Sequence, residues 1–558
     1  MVAAVLPVHA QTDSLQRQQQ EQLRQLQSPR PFVDQPSTAA AAQDAAPALL
    51  SDLGVSPFFG CRTLTALNWQ GTITVTRPVF DGVTARWQGQ CVDQNMVAQL
   101  LRDAAASLVA AGFISSRIKL APDTMWQQHS QNAWTLNLEV IEGKVEQIVG
   151  LGGLSARELR HALPLRPGDV LRVGDLDQGL DQLGRLASRS VTADIAPGEQ
   201  TGNSVIVIHN HLSSTPVTGS SSVTVSNRLA ASSGPARVDM NWTADNPLDA
   251  SDSLTVGLGS NLGGHAGSLL SAFGIYSLAL GYGTASLTLD TSRQEQNLAI
   301  NGVDLLSVSQ ASQIQARYDR VLWRNASQRI SAWGALARRQ SRQTLDNDLL
   351  AVSSGGNTGL EAGLSASGRS QWASRPWFWS LQGWLAAGVP WLGGRGDSGA
   401  VRSTGDAVRQ EYRKWQIQAD LQTAINPDSR SPVWYQASAS AMGSAHPLPG
   451  AQELGLGDVG GVRGFFRNPV SVYRGAWLRQ TFNLSVAAGW TAWVGLDVGQ
   501  GRSATLGDLT LGSLSTGLRW EKGRSAVDVE ISRGQIRSDQ PATQPGSTAA
   551  VRWQWKTY

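Results

Sequence analysis

Two short segments carry the side chains best suited to a strong polar interaction: Val462, Arg463, Gly464 and Phe465 in the first, and Gly495, Asp497 and Gly499 in the second. The first segment lies in a glycine-rich stretch at about residues 442–473, which is too long for a hairpin turn. The second lies in a strand predicted at 491–499, where these residues alternate with apolar ones and share the opposite face. Because a shielded carboxylate needs a cationic partner, an arginine on a folded-in loop is the natural partner for Asp497, in a charge-assisted fork. The expected role of this pair is structural, since the ion pair would bind the loop to the strand.

Other patterns that match reactive sites lack the rest of the site. Residues 455–460 fit the string G-x-G-x-x-G, but neither a strand nor a helix frames them, as dinucleotide binding requires. His209 and His211 share one face of a predicted strand, yet a metal site needs a third ligand, and the sequence offers none nearby. We find neither a G-x-S-x-G elbow nor a phosphate-binding loop. The sequence therefore predicts no catalytic residue, no metal and no cofactor.

Composition restricts the class of protein further. The 558 residues carry 46 basic and 43 acidic side chains, and 46 − 43 gives a net charge of +3. Since the basic residues are scattered, no footprint for nucleic acid is present. Two cysteines exclude a disulfide-rich scaffold or a cysteine-based zinc ribbon. No stretch reaches the ~20 apolar residues of a transmembrane helix.

The chain from residue 216 to residue 558 alternates in polarity, in segments of about ten residues separated by Gly, Ser, Asn and Asp. The clearest segment runs from Trp415 to Ile425, with glutamines on one face only. A soluble β-sandwich would show the same alternation. Tryptophans near segment ends and the segment length favour a membrane barrel instead. At about 21 residues per strand and loop, this region predicts sixteen antiparallel strands around a water-filled lumen.

Two small α/β units precede the barrel, at residues 61–143 and 144–212, and are called unit 1 and unit 2 below. Each reads as β-α-α-β-β, so the pair forms an internal repeat detected by element order. The second helix of unit 2 places leucines at helical spacing, as expected for a buried face. Cys61 and Cys91 lie within unit 1, where a disulfide would contribute about 3–4 kcal/mol in an exported protein. Two buried free thiols are the alternative.

The first 60 residues form a different kind of region. Residues 1–10 end in Val-His-Ala, a small-residue pattern typical of the end of a secretory signal peptide, although an irregular cytosolic N-terminus is the alternative. Residues 11–27 contain eight glutamines and few apolar positions, so a helix there would lie in water or in a polar cavity. Residues 28–60 have the composition of a proline- and alanine-rich linker. The helix is therefore predicted to be tethered rather than packed in a core.

These features together resemble the TpsB family, the outer-membrane transporters of two-partner secretion that export haemolysins and filamentous-haemagglutinin-like adhesins. The resemblance rests on VRGF at 462–465, GLDVG at 495–499, GDLDQGLDQLGRLAS at 174–188, IAPGEQTGNS at 195–204 and the cysteine pair. It implies a plug helix at 11–27, two periplasmic POTRA domains at 61–143 and 144–212, and a sixteen-stranded transmembrane β-barrel at 216–558. The fold class is thus α+β periplasmic domains followed by an antiparallel barrel. The stretch at 442–473 would fold into the lumen, where Arg463 would pair with Asp497.

The resemblance also implies the function, location and partners. The protein would be a monomeric channel in the cell outer membrane, in contact with outer-membrane lipid and with its N-terminal domains in the periplasm. It would recognise an exoprotein there, an adhesin, a haemolysin or a contact-dependent toxin, and pass it unfolded to the cell surface. The main alternative is a barrel-assembly factor of the same superfamily, which should carry more POTRA repeats and lack the glutamine-rich helix. A barrel-embedded phospholipase and a plain solute porin are weaker alternatives.

Overall fold

A computed structural model describes residues 61–71, 77–121, 126–130, 133–200, 202–211, 219–262, 267–300, 303–325, 327–350, 354–394, 410–426, 429, 431–542 and 547–557. The predicted signal-peptide end (1–10), plug helix (11–27) and linker (28–60) lie outside these residues. None of the described helices is long and apolar enough to cross a bilayer.

Unit 1 is a mixed sheet covered by two helices. Its elements are β1 (Arg62–Gly71), α1 (Arg77–Trp87), β2 (Cys91–Val92), α2 (Gln94–Ala110), β3 (Arg117–Leu120), β4 (Trp126–Ser130) and β5 (Ala133–Ile141). The strand order is β2-β1-β5-β3, with β1 and β5 parallel and β4 also pairing with β5. Asp93 caps α2 by accepting a hydrogen bond from the backbone N–H of Met96 at 2.8 Å. The buried face of α2, with Val97 and Leu100, packs against the sheet.

Unit 2 repeats this plan with three strands. Its elements are β6 (Lys144–Leu151), α3 (Ala156–Ala162), α4 (Val173–Gly184), β7 (Val191–Pro197) and β8 (Asn203–Asn210), in the sheet order β6-β8-β7. Leu176, Leu180 and Leu183 of α4 are buried in the core of the unit. The helix ends at Gly184, since glycine is a poor helix former.

The remaining strands form a closed antiparallel barrel. The sixteen wall strands are β9 (Gly219–Ser226), β10 (Ala236–Asp245), β11 (Asp252–Leu262), β12 (Gly267–Leu280), β13 (Gly283–Ile300), β14 (Val303–Arg324), β15 (Gln328–Leu345), β17 (Gly355–Trp372), β18 (Arg375–Val389), β19 (Arg413–Ala424), β20 (Val433–Ser444), β23 (Arg474–Ala487), β24 (Trp490–Ser503), β25 (Gly507–Lys522), β26 (Ser525–Ser538) and β27 (Ser547–Lys556). Short strands lie between them: β16 (Asp348–Leu349), β21 (Leu454–Gly457) and β22 (Val470–Val472). Two 3-10 turns occur at Ala231–Ser233 and Gly450–Gln452. The predicted sixteen strands are confirmed, and β27 closes the wall by pairing with β9.

Alternation along each strand gives the wall an apolar outer face and a polar inner face. On β24, for example, Leu496 is 50% exposed, whereas the adjacent Asp497 is 2% exposed. Closure gives every described wall strand a hydrogen-bonded neighbour on both sides, which is the condition for spanning hydrocarbon with strands. The strands reach 22 residues in β14, well beyond the ~10 that cross a bilayer, so they extend past its surface.

Unit 2 contacts one end of the barrel. The side-chain amide of Gln182 on α4 donates to the carbonyl oxygens of Gly281 at 3.0 Å and Gly283 at 2.9 Å, in the turn between β12 and β13. The hydroxyl of Tyr282 in the same turn donates to the carboxylate of Asp175. Burial raises the pKa of this phenol, and the bond to Asp175 raises it further. The turn at 281–282 therefore lies at the barrel end that unit 2 contacts.

Candidate functional site: the lumen loop and its wall partner

The segment between β20 and β23 folds back into the barrel. Met442, Gly443 and Ser444 belong to β20, so this segment, the lumen loop, covers residues 445–473 rather than the predicted 442–473. It contains β21 and β22, which pair with each other in a separate two-stranded sheet and with no described wall strand. Leu456, Val462 and Phe465 are at most 1% exposed and share a cluster with the inward side chains of Leu511 and Ile536. Burial of this apolar core holds the loop inside the wall.

Arg463 and Asp497 form a buried fork at the centre of this contact. The Arg463 Nη2 lies 2.7 Å from Asp497 Oδ1, and its Nε lies 2.8 Å from Oδ2. The backbone N–H of Arg463 also donates to Oδ2 at 3.0 Å, and the Ser513 hydroxyl donates to the same oxygen at 3.1 Å. The side chains are 4% and 0% exposed. Mutation of either partner of such a buried pair is strongly destabilising, since the other side chain is left as an uncompensated charge.

The guanidinium also reaches the neighbouring strand β23. Its Nη2 donates to the carbonyl oxygen of Gln480 at 2.8 Å and to the Thr481 hydroxyl at 3.1 Å. The Trp493 ring lies beneath it, with the Arg463 Cζ 5.0 Å from the ring centroid. The loop is thus bound to both β23 and β24.

Glycines make room for this contact. A Cβ on Gly495 would lie 2.3 Å from Arg463 Nη2, and one on Gly499 would lie 3.0 Å from a methyl group of Val462. Gly464 has a φ of +90°, in the left-handed region where other residues are strained. The three glycines of the two segments therefore serve the close approach of loop and wall.

A charged cavity of about 430 Å³ adjoins the fork in the lumen. Arg463, Arg479 and Arg519 line it, together with Asp528 and Glu530. Arg228, between β9 and β10, donates to Asp528 at 3.0 Å and to Glu530 at 2.8 Å. The backbone N–H of Ala231 donates to the carbonyl oxygen of Arg467 at 2.9 Å, so the segment between β9 and β10 is tied to the lumen loop.

Sequence reasoning missed Arg228 and Arg479 as members of this network. The alternation of β26 placed Asp528 and Glu530 on the polar face, which was the available signal for the acidic side. Arg228 lies outside any alternating segment, so its position depends on how the segment between β9 and β10 folds.

The remaining predicted residues lie apart from this site. Cys61 and Cys91 are joined by a disulfide with a Cα–Cα distance of 5.2 Å, which links the start of β1 to β2 in unit 1. The rings of His209 and His211 lie 6.1 Å apart, and the described residues contain no group of three metal-ligating side chains. Asp458 turns the stretch at 455–460 by accepting from the backbone N–H groups of Gly460 and Gly461, at 2.9 and 2.8 Å. Residues 455–457 thus belong to β21, and a turn stabilised by Asp458 follows them.

A closed sixteen-stranded barrel with a loop folded into its lumen, preceded by two α/β units of which unit 2 contacts one barrel end, is the architecture of an outer-membrane transporter of the POTRA-containing class. Residues 202–520 match the family described as haemolysin secretion/activation protein ShlB/FhaC/HecB, and residues 144–197 match the POTRA domain. The chain belongs to this haemolysin secretion/activation family.

Individual relatives agree with this assignment. The haemolysin transporter protein ShlB of Serratia marcescens is 30% identical over 89% of this chain and 85% of its own. The outer membrane transporter CdiB of Escherichia coli is 28% identical over 76% of this chain and 69% of its own. A solved structure of CdiB from Escherichia coli is 25% identical, covers 98% of both chains and superposes with a TM-score of 0.80.

The predicted family, fold class and location are confirmed by these comparisons. The protein is a two-partner secretion channel of the outer membrane, with its N-terminal domains in the periplasm. The barrel end that faces unit 2 is accordingly the periplasmic end, and the lumen loop enters from the cell surface. Family membership favours a secretion channel over the barrel-assembly alternative.

Proposed function

We propose that the protein carries one unfolded exoprotein through its lumen as a monomer, and that the Arg463–Asp497 fork holds the lumen loop in the position that transport requires. The fork is the observation that supports this proposal, because five hydrogen bonds from Arg463 converge on two wall strands. An ion pair this buried adds little net stability, because the cost of desolvating both charges offsets much of their attraction. Its contribution is to fix the position of the lumen loop. The cargo would be an adhesin, a haemolysin or a contact-dependent toxin, and the name of one relative, a haemolysin transporter, supports the second of these.

The N-terminal units would capture the cargo before it enters the barrel. Residues 61–143 and 144–212 are proposed as two POTRA domains, and residues 216–558 as the barrel. In unit 2, β7 is an edge strand with one side unpaired by any described strand. An extended segment of cargo would add to that edge, where backbone hydrogen bonds give affinity without a strict sequence requirement. Nothing in this role requires covalent chemistry, and none is proposed.

Residues 11–27 are proposed to occupy the lumen at rest and to leave when cargo arrives. A helix this rich in glutamine suits the polar inner wall better than hydrocarbon. Deleting these residues should raise the single-channel conductance in planar bilayers. An unchanged conductance would show that the segment does not lie in the pore.

A charge swap tests the role of the fork. Arg463→Asp and Asp497→Arg should each abolish secretion of the exoprotein while the barrel still inserts, since each leaves two like charges together in a buried site. The double swap should restore secretion in part. Asp420→Asn is the matched control, because Asp420 is also a lumen-facing carboxylate but is exposed and bonded only to serines. Normal secretion by either single variant would remove the fork from the mechanism.

A further inference from the structure

The outer wall of the barrel carries a shallow depression of about 1420 Å³ at the cell-surface end, across strands β17 to β20 and β23 to β26. Its large side chains face away from the lumen. Leu385 and Trp415 are 69% and 44% exposed, whereas their neighbours Ala386 and Lys414 are 5% exposed. This outer-wall depression therefore opens toward the membrane and not into the pore.

Small side chains form the floor of the depression: Ala362, Ala387, Ala441, Gly443 and Ala476. Trp415 covers part of this floor, since a Cβ on Gly443 would lie 2.4 Å from its indole nitrogen. Large apolar residues elsewhere on the outer wall project into hydrocarbon, so a floor of alanine and glycine leaves room for acyl chains to lie against the strands.

Arginines surround the upper part of the depression: Arg413, Arg474, Arg502 and Arg537. Two acidic side chains, Asp508 and Asp539, accompany them, so the outward charge is 4 − 2 = +2. Arg474 lies directly opposite Arg502 in the register of β23 and β24. Like charges opposite one another on neighbouring strands destabilise a sheet unless an anion lies between them.

These arginines are poorly neutralised by the protein itself. The distance from Arg502 Nη1 to Asp508 Oδ2 is 3.9 Å, at the outer limit of an ion pair. Within the described part of the chain, Arg413, Arg474 and Arg537 have no ion pair. Their donors are thus available to an external anion.

The depression lies at the level where hydrocarbon gives way to head groups. On β24, β25 and β26 the outward residues Val498, Leu514 and Ile531 are 56%, 58% and 57% exposed. The next outward positions toward the cell surface are Gln500, Gly512 and Arg533. The polarity of the outer face therefore changes within one outward position on β24 and β26 and within two on β25, at Thr510. The four arginines lie above that change. They face the outer leaflet, since unit 2 marks the opposite, periplasmic end.

We propose that the outer-wall depression is a binding site for a phosphorylated, multiply acylated glycolipid of the outer leaflet, the lipid A part of lipopolysaccharide. Arg474 and Arg502 lie on adjacent strands and would share one phosphate through charge-assisted bonds. Arg413 lies two strand spacings from Arg474, roughly 10 Å, which suits a second phosphate on the same molecule. The acyl chains would cover the small-residue floor, with the Trp415 indole at the interface.

Lipid binding to the full-length protein tests this site. Protein purified in dodecyl maltoside is titrated with bisphosphorylated lipid A, and bound lipid is measured by native mass spectrometry. Parallel titrations use inorganic phosphate and phosphatidylglycerol, which separate the intact lipid from its phosphate and from anionic lipid in general. R474Q/R502Q is compared with R342Q/R533Q, which removes two exposed, outward-facing arginines of β15 and β26 that lie outside the depression.

We expect the affinity for lipid A to fall only in the variants that replace arginines of the depression. The dissociation constant for lipid A should rise at least about 100-fold in R474Q/R502Q, as the loss of two charge-assisted contacts implies, and stay near wild type in R342Q/R533Q. R413Q alone should give about a tenfold rise and serves if the double variant fails the heat-modifiability test for a folded barrel. Equal losses in the two double variants, or equal binding of phosphatidylglycerol or phosphate to wild type, would overturn the proposal.

Discussion

Gly495→Ala should release the lumen loop although no charged residue is substituted. The new Cβ would lie 2.3 to 2.4 Å from three atoms of the Arg463 guanidinium, whereas ordinary contact begins at 3.4 Å. The guanidinium would have to move by about 1 Å, which lengthens its 2.7 and 2.8 Å bonds to Asp497 beyond hydrogen-bonding range. Two charge-assisted bonds contribute about 1.5 to 3 kcal/mol each, so the docked loop should lose at least about 3 kcal/mol. That loss lowers its docked population relative to the undocked one by about 100-fold.

The assay uses a cysteine at a buried loop position. Both native cysteines are consumed by the disulfide, so Val462→Cys supplies the one thiol for labelling with a membrane-impermeant maleimide in whole cells. Val462 is 0% exposed when the loop is docked, and labelling should therefore be slow in the parent and much faster with Gly495→Ala. Secretion should fall in parallel.

Gly512→Ala provides the matched control, because a Cβ on this glycine of the adjacent strand meets nothing within 4 Å. It should label and secrete like the parent. If Gly495→Ala behaves in the same way as Gly512→Ala, the close approach of guanidinium and wall does not control the loop, and the reasoning fails.

Two further predictions concern the N-terminal units. Replacing Cys61 and Cys91 with serine should lower the free energy of unfolding of unit 1 by about 3–4 kcal/mol, since the bridge closes a loop with a sequence separation of 30. Limited proteolysis of the full chain under native conditions measures this loss. Unchanged resistance to the protease would contradict the prediction. Tyr282 has a folded-state pKa above its unfolded value of about 10, so its contribution to docking is complete below that pH and is lost as the pH rises toward the folded value. Hydrogen exchange in the turn at 281–282 should therefore accelerate above about pH 10, and Tyr282→Phe should remove this dependence; identical pH profiles would show that the phenol does not secure unit 2.

Much of the fold follows from local patterns in the sequence. Asp497 faces away from its apolar neighbours on β24 as alternation requires, and the leucines of α4 are buried as their helical spacing predicts. The number of wall strands follows from chain length and an average of about 21 residues per strand and loop. Individual strands differ widely, from 8 residues in β9 to 22 in β14. These features depend on residues close together in sequence.

Features that depend on distant residues were not predictable in the same way. β4 reads Trp-Gln-Gln-His-Ser, which has no apolar alternation, and it becomes a strand by pairing with β5. Arg228 joins the lumen network only because its segment folds against β26, about 300 residues away. The outer-wall depression likewise depends on register, since Arg474 and Arg502 meet only through the pairing of β23 with β24.

The pairing of β27 with β9 has a consequence for how the protein forms. Arg552 and Ser226 are register partners although 552 − 226 = 326 residues separate them. Closing a chain segment of that length costs roughly 5 kcal/mol in entropy, which the other wall pairs avoid because they join neighbouring strands. High sequence separation also slows folding, so this seam should form late. Until it does, β9 and β27 present unpaired backbone groups that lipid cannot satisfy, and the newly made chain should need protection from aggregation on its way into the membrane.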